Sequence, residues 1–129
     1  MYYALLIYEA ENLSDGYTPE QEAAALAGHR ELQERSKASR AFVEANQLMP
    51  GSVATTVKVR GGETVVLDGP YAETKELLIG LYVMACANLD EAIAYASQIP
   101  HAGTGAVEVR PVAYFERADA KEMVWSNQS

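Results

Sequence analysis

Residues 2–8 are apolar or aromatic without a break, and both alternating sets, Tyr3/Leu5/Ile7 and Tyr2/Ala4/Leu6/Tyr8, are fit to line a buried face. The pattern predicts a strand covered on two sides. After a polar loop the period lengthens. Thr18 precedes Pro19 in the order of an N-cap and first helical residue, which predicts a helix running to about residue 46, modestly weakened by Gly28. Residues 48–52, LMPGS, break it. From about Val53, two β-branched runs flank Gly61-Gly62, a two-residue hairpin signal. With those glycines at the turn, Arg60 faces Glu63, Val57 faces Val66 and Thr55 faces Asp68. Asp68 then shares a face with Val53, Thr55, Val57 and Val66. Residues 78–87, LIGLYVMACA, form another strand with apolar side chains on both sides. Asn88-Leu89-Asp90-Glu91 reads as a capping box, opening a helix whose stripe of Leu89, Ala92, Ile93, Ala96 and Ile99 ends before Pro100. Residues 106–115 supply the last strand. The polar segment after them is either loosely ordered or docked through Trp125.

This order is an α+β, ferredoxin-like plan with an antiparallel sheet and one extra strand, β-α-β-β-β-α-β. Two helices cover only one face of such a sheet. The second face, rich in Tyr, Leu, Val and Met, would form a patch larger than soluble monomers tolerate, so two sheets are expected to pair face to face in a two-fold homodimer. Residues 1–115 make the domain and 116–129 a C-terminal tail.

Composition narrows the function classes. The 129 residues suit one domain, 49% are hydrophobic and 22% charged, and no apolar run reaches the length of a membrane span. The first charge is Glu9, so the N-terminus lacks a signal peptide's basic start and cytoplasmic residence is expected. Ten scattered basic residues against eighteen acidic ones give a net charge of −8, the opposite of a nucleic-acid binder's footprint. His29, His101 and the single Cys86 offer no metal-ligand spacing, and no Gly-rich phosphate loop is present, so neither metal nor cofactor is expected. Cys86, inside an apolar strand, reads as a packed, inert thiol.

The chemistry gathers around residues 67–75, LDGPYAETK. A carboxylate at the end of an apolar row needs donors. Pro70 removes one backbone N–H, leaving the amides of Tyr71 and Ala72 to cap Asp68 in a turn, unless Asp68 transfers protons or binds a ligand. His29 can share the sheet-facing side of the first helix with Leu32 and Ser36, either as a partner of Asp68 or as a histidine at the helix margin. His101, in a Gly-rich loop, reads as exposed. Glu108 and Arg110 alternate onto one face of the last strand, where a surface ion pair competes with Arg110 as an anion clamp. Lys75 is either a solvated loop charge or a ligand contact.

Two stretches carry a family resemblance: residues 68–75, Asp-Gly-Pro-Tyr-Ala-Glu-Thr-Lys, and residues 107–112, Val-Glu-Val-Arg-Pro-Val. Together, at this separation, they resemble the YCII-related proteins of the DGPF-domain group, over about residues 1–115, with Tyr71 in the usual Phe position. The resemblance implies a ferredoxin-like fold assembled as a dimeric α/β barrel. It implies no established activity; an acid, sometimes with a histidine on the first helix, has been proposed as the group's active site, and members often lie beside extracytoplasmic-function sigma factors. Ile79, where the group usually has glycine, and Leu81, where an aromatic is common, depart from the pattern and reshape any pocket there. Two functions stand side by side. In one, an enzyme acts on a small polar or anionic metabolite, with Asp68 as acid/base, His29 as its partner, and Tyr71, Lys75, Tyr82 and Arg110 in binding. In the other, a non-catalytic dimer senses a ligand or meets a transcription factor, and the motif only fixes a loop. A cofactor-free oxygenase is a third idea resting on fold analogy.

Overall fold

The strand at the N-terminus, β1 (Tyr2–Ala10), becomes the middle of the molecule because it is apolar on both faces. A computed structural model describes residues 1–10, 13–72 and 74–118. After β1 come α1 (Pro19–Ala38), β2 (Phe42–Gln47), β3 (Thr55–Arg60), β4 (Glu63–Asp68), β5 (Glu76–Ala85), α2 (Leu89–Ser97) and β6 (Ala106–Pro111), with single 3₁₀ turns at Leu13–Gly16, Gly51–Val53 and Pro100–Gly103. The main sheet has the order β2-β5-β1-β6 and every neighbouring pair is antiparallel. This is the ferredoxin-like β-α-β-β-α-β arrangement. The hairpin β3-β4 is inserted between β2 and β5 as a separate two-stranded sheet. No helix among the described residues is long and apolar enough to cross a membrane.

Two expectations are corrected here. The first helix stops at Ala38 rather than near residue 46, and residues 42–47 are a sheet strand. The stop is a Schellman motif: Ala41 N donates to Ser36 O at 2.8 Å and Arg40 N to Lys37 O at 3.1 Å. Its left-handed residue is Arg40, φ 64°, where glycine is the usual signal. The extra strand is therefore not part of the main sheet; β2 takes the place that the sequence pattern gave to the hairpin. The hairpin's register itself is as expected, with Arg60↔Glu63, Val57↔Val66 and Thr55↔Asp68. Both turn glycines have positive φ, 58° and 80°, as a two-residue turn matching strand twist demands.

One face of the sheet carries the core. Tyr3, Leu5 and Ile7 of β1 and Tyr82 and Met84 of β5 pack with Leu32 of α1 and Ala92, Ala96 and Ile99 at α2. Both helices are capped: Thr18 Oγ1 accepts from Gln21 N at 3.1 Å while Gln21 Oε1 accepts from Thr18 N at 2.8 Å, and Asn88 Oδ1 accepts from Glu91 N at 2.9 Å. On the opposite face Tyr2, Ala4, Leu6, Tyr8 and Leu81 are half-buried rather than open, and Tyr2 stacks on Phe115 with ring centroids 4.7 Å apart. Exposed apolar side chains lie on the hairpin, at Val57, Val59, Val65, Val66 and Leu67, beyond it at Tyr71, and also at Leu26, Leu48 and Met49 and on α2 at Leu89 and Ile93. Trp125 lies outside the described residues.

Candidate functional site

The alternation that buries Tyr3, Leu5 and Ile7 also buries Glu9, which is 3% exposed. A carboxylate on a core face needs donors. Thr104 Oγ1 donates to Glu9 Oε2 at 2.7 Å, Tyr17 OH approaches the same oxygen at 3.3 Å, and His101 Nε2 stands 3.9 Å from it. Gly105 makes this possible. A Cβ on residue 105 would lie 2.0 Å from the Tyr8 carbonyl oxygen, so only glycine lets the chain run against β1 and seat Thr104 beside Glu9.

A second close approach sets the histidines. A Cβ on Gly28 would meet Pro100 Cγ at 2.8 Å; its absence lets the 3₁₀ turn after α2 press on α1. His101 thereby comes to His29, with Nδ1 3.3 Å from His29 Nε2, and is half-buried rather than exposed as its Gly-rich surroundings suggested. The other nitrogen of His29, Nδ1, lies 2.6 Å from Tyr82 OH, to which Gln33 Nε2 donates at 3.4 Å. Tyr82, His29, His101 and Glu9 form one line of contacts. One set of tautomers satisfies it: Tyr82 O–H donates to His29 Nδ1, His29 Nε2–H to His101 Nδ1, and His101 Nε2–H points at Glu9. Burial, and then the neighbouring His101, hold the His29 pKa below its ordinary value of 6.5. Burial raises that of Tyr82, against the opposing hydrogen bond from Gln33. The pair therefore rests as a neutral imidazole and an un-ionised phenol.

This line forms the polar wall of a cavity of about 530 Å³ between α1, β1, β5 and residues 46–51. That size suits a small metabolite. A β-bulge opens it: the β1–β5 register passes from Ile7↔Gly80 to Tyr8↔Leu78, so Ile79 opposes no residue of β1. Leu48 N donates to Ile79 O at 2.9 Å, holding residues 46–51 along the cavity's edge. A Cβ on Gly80 would lie 2.7 Å from Asn46 O, which keeps that edge close. Ile79, the departure from the glycine of the resembled group, lines the cavity with Leu77 and Leu78. No group of three or more His, Cys, Asp or Glu side chains among the described residues is placed to hold a metal ion.

Of the residues singled out from sequence, the structure brings His29 and Tyr82 together. Asp68 is elsewhere, exposed at the end of β4 and outside the cavity lining. It is not the semi-buried carboxylate that the apolar row implied, because the hairpin face that it shares with Val57 and Val66 is itself open. The turn is held by backbone: Gly69 N donates to Ala54 O and Thr56 Oγ1 to Gly69 O, each at 2.8 Å, with Gly69 at φ 94°. Tyr71 and Lys75 are exposed beside it, and the Lys58 ammonium sits 5.3 Å from the Tyr71 ring centroid. Glu73 lies outside the described residues. Arg110 pairs with Glu108 at 3.3 Å on exposed surface. Cys86 is buried, its thiol pushed up to about 11.

Glu9, Tyr17, Thr104 and Gln33, which the sequence did not single out, and His101, which it placed on an exposed loop, complete the site. For Glu9 a signal existed, since it continues the Tyr3/Leu5/Ile7 set by one step. His101 had none, because its burial depends on a contact between Gly28 and Pro100, 72 positions apart.

A relative from Rhizobium meliloti (strain 1021), an uncharacterized protein, is 38% identical, with 90% of this chain and 95% of the relative aligned. The family model of the YCII-related domain matches residues 1–116, a span holding both the cavity and the hairpin, and the chain therefore belongs to the YCII-related family.

Proposed function

We propose that this chain is a small-molecule enzyme whose acid–base chemistry takes place in the cavity between α1 and the sheet. The observation that carries the reading is the hydrogen-bonded Tyr82–His29–His101 line along the wall of that cavity, with Glu9 3.9 Å beyond it. His29, neutral at pH 7, is poised to accept a proton, and the un-ionised Tyr82 is poised to give one. His101, with Glu9 behind it, orients His29 through the Nε2 contact, as a third group does for the base in hydrolase triads. Asp68, proposed from sequence as the acid/base, enters this cavity only if a second subunit brings it there. Assembly as a dimeric barrel belongs to the same reading.

The test is a metabolite library screened by thermal shift against wild type and His29→Gln. Compounds that stabilise the wild type should lose that effect, or be bound and not turned over, in the variant. Hits unaffected by both His29→Gln and Tyr82→Phe would sink the reading. A second reading, a non-catalytic dimer that senses a ligand or meets a protein partner, is favoured by the exposed apolar hairpin. It predicts a ligand that both variants bind and neither they nor the wild type convert.

A further inference from the structure

We infer that the cavity takes the cationic end of an alkyl-ammonium compound, with Glu9 as its counter-ion; this rests on the cavity being the small-molecule site. The contacts of Glu9 among the described residues all fall on Oε2: Thr104 at 2.7 Å, Tyr17 at 3.3 Å and His101 at 3.9 Å. Oε1 is left to a ligand, on a side chain 3% exposed that lines the cavity. A buried carboxylate with an uncommitted oxygen is completed by a donor, and a charged N–H is the strongest one available. The lining adds a second carboxylate, Glu22, and contains neither Lys nor Arg. An anionic metabolite would thus meet like charge without a counter-ion, because Arg110 is paired with Glu108 on the surface and Lys75 is on an exposed loop.

The rest of the wall sets the other end of the ligand. Half-buried Leu77 and Ile79 line the cavity, and the exposed Leu26, Leu48, Met49 and Leu78 rim it. An alkyl chain lies against such side chains, and a fully polar cation such as guanidinium would leave them wet. The class is therefore a primary or secondary amine on an aliphatic body.

Three probes of nearly equal shape separate the alternatives: hexylammonium, hexanol and hexanoate, titrated at pH 7.5 into the wild-type protein by calorimetry, with the His29 and His101 ring protons followed by NMR. Hexylammonium should bind about tenfold or more tighter than hexanol, with hexanoate weakest. In Glu9→Gln the preference for hexylammonium over hexanol should fall to near unity. The wild-type ranking stands without the variant should Glu9→Gln fold poorly. Hexanol binding as tightly as hexylammonium, or hexanoate tighter than either, with the ring protons shifting, would overturn the amine class and leave the cavity as a site. If none of the three saturates, the cavity reading falls with it.

Discussion

At the scale of single residues, the same carboxyl and imidazole chemistry behaves differently according to what surrounds it. Glu9 and Asp68 are both strand carboxylates, yet Glu9 sits on the covered face of β1 and collects donors, while Asp68 ends an uncovered hairpin. Asp68→Asn and Asp68→Ala should therefore both change unfolding free energy by no more than about 0.5 kcal/mol, as exposed positions do. Chemical denaturation of the two variants checks this, and a clear loss in Ala alone would restore Asp68 as a turn cap. His29 makes the opposite prediction. Its native pKa lies below its ordinary 6.5, so in the window between the two the unfolded chain binds more protons than the folded one. The contribution is fully present above pH 6.5 and is lost as pH falls through that window. Tyr82, Gln33 and His101 are the groups that face it, and none of them offers an anion to hold an imidazolium. Unfolding free energies measured from pH 8 down to 5 should fall more steeply for wild type than for His29→Gln; parallel curves would refute the assignment.

At the scale of elements, what was legible in the sequence were the features written in local signals. Thr18-Pro19, Gly61-Gly62 and Asn88 each announced a cap or a turn, and each is where it was read. The pairing of Thr55 with Asp68 followed from the hairpin geometry alone. β2 was missed because the helix before it ends on Arg40, a residue that gives no stop signal, and the Schellman bonds that hold this end form only in the folded chain. The place of His101 in the candidate site was hidden for a related reason. His29 and Tyr82 were visible as a helix-face histidine and a strand tyrosine, but His101 reaches them only through the Gly28–Pro100 approach. Arg40 offers a direct test. A left-handed backbone costs a non-glycine residue roughly 1 kcal/mol, so Arg40→Gly should raise stability by about 0.5–1 kcal/mol with the site unchanged. A loss of stability would mean that the Arg40 side chain contributes more than its backbone costs.

At the scale of the whole molecule, the hairpin is the feature a single copy does not account for. A lone two-stranded hairpin is marginal in water, and this one forms a sheet of its own with Val57, Val59 and Val66 about 60% exposed. Directly opposite residues share a face, so Val57/Val66 and Val59/Thr64 make one apolar stripe bounded by Thr55 and Asp68. The expectation of a homodimer began from the second face of the main sheet, yet that face is half-buried, and the exposed stripe moves the argument to the hairpin. Covering a valine side chain contributes about 1.5 kcal/mol or more, so three of them across a two-fold interface, counted on both copies, amount to roughly 9 kcal/mol before the cost of association. Association costs roughly 4–15 kcal/mol, so the stripe offsets that cost, and the contacts around it supply the further ~8 kcal/mol of a micromolar dimer. Sedimentation equilibrium should then give twice the chain mass for wild type and the single-chain mass for Val66→Lys, with far-UV circular dichroism unchanged because the hairpin lies outside the core. A wild-type protein that sediments as one chain would leave the stripe without a second copy to cover it, and a Val66→Lys protein that remains dimeric would move the interface back to the sheet.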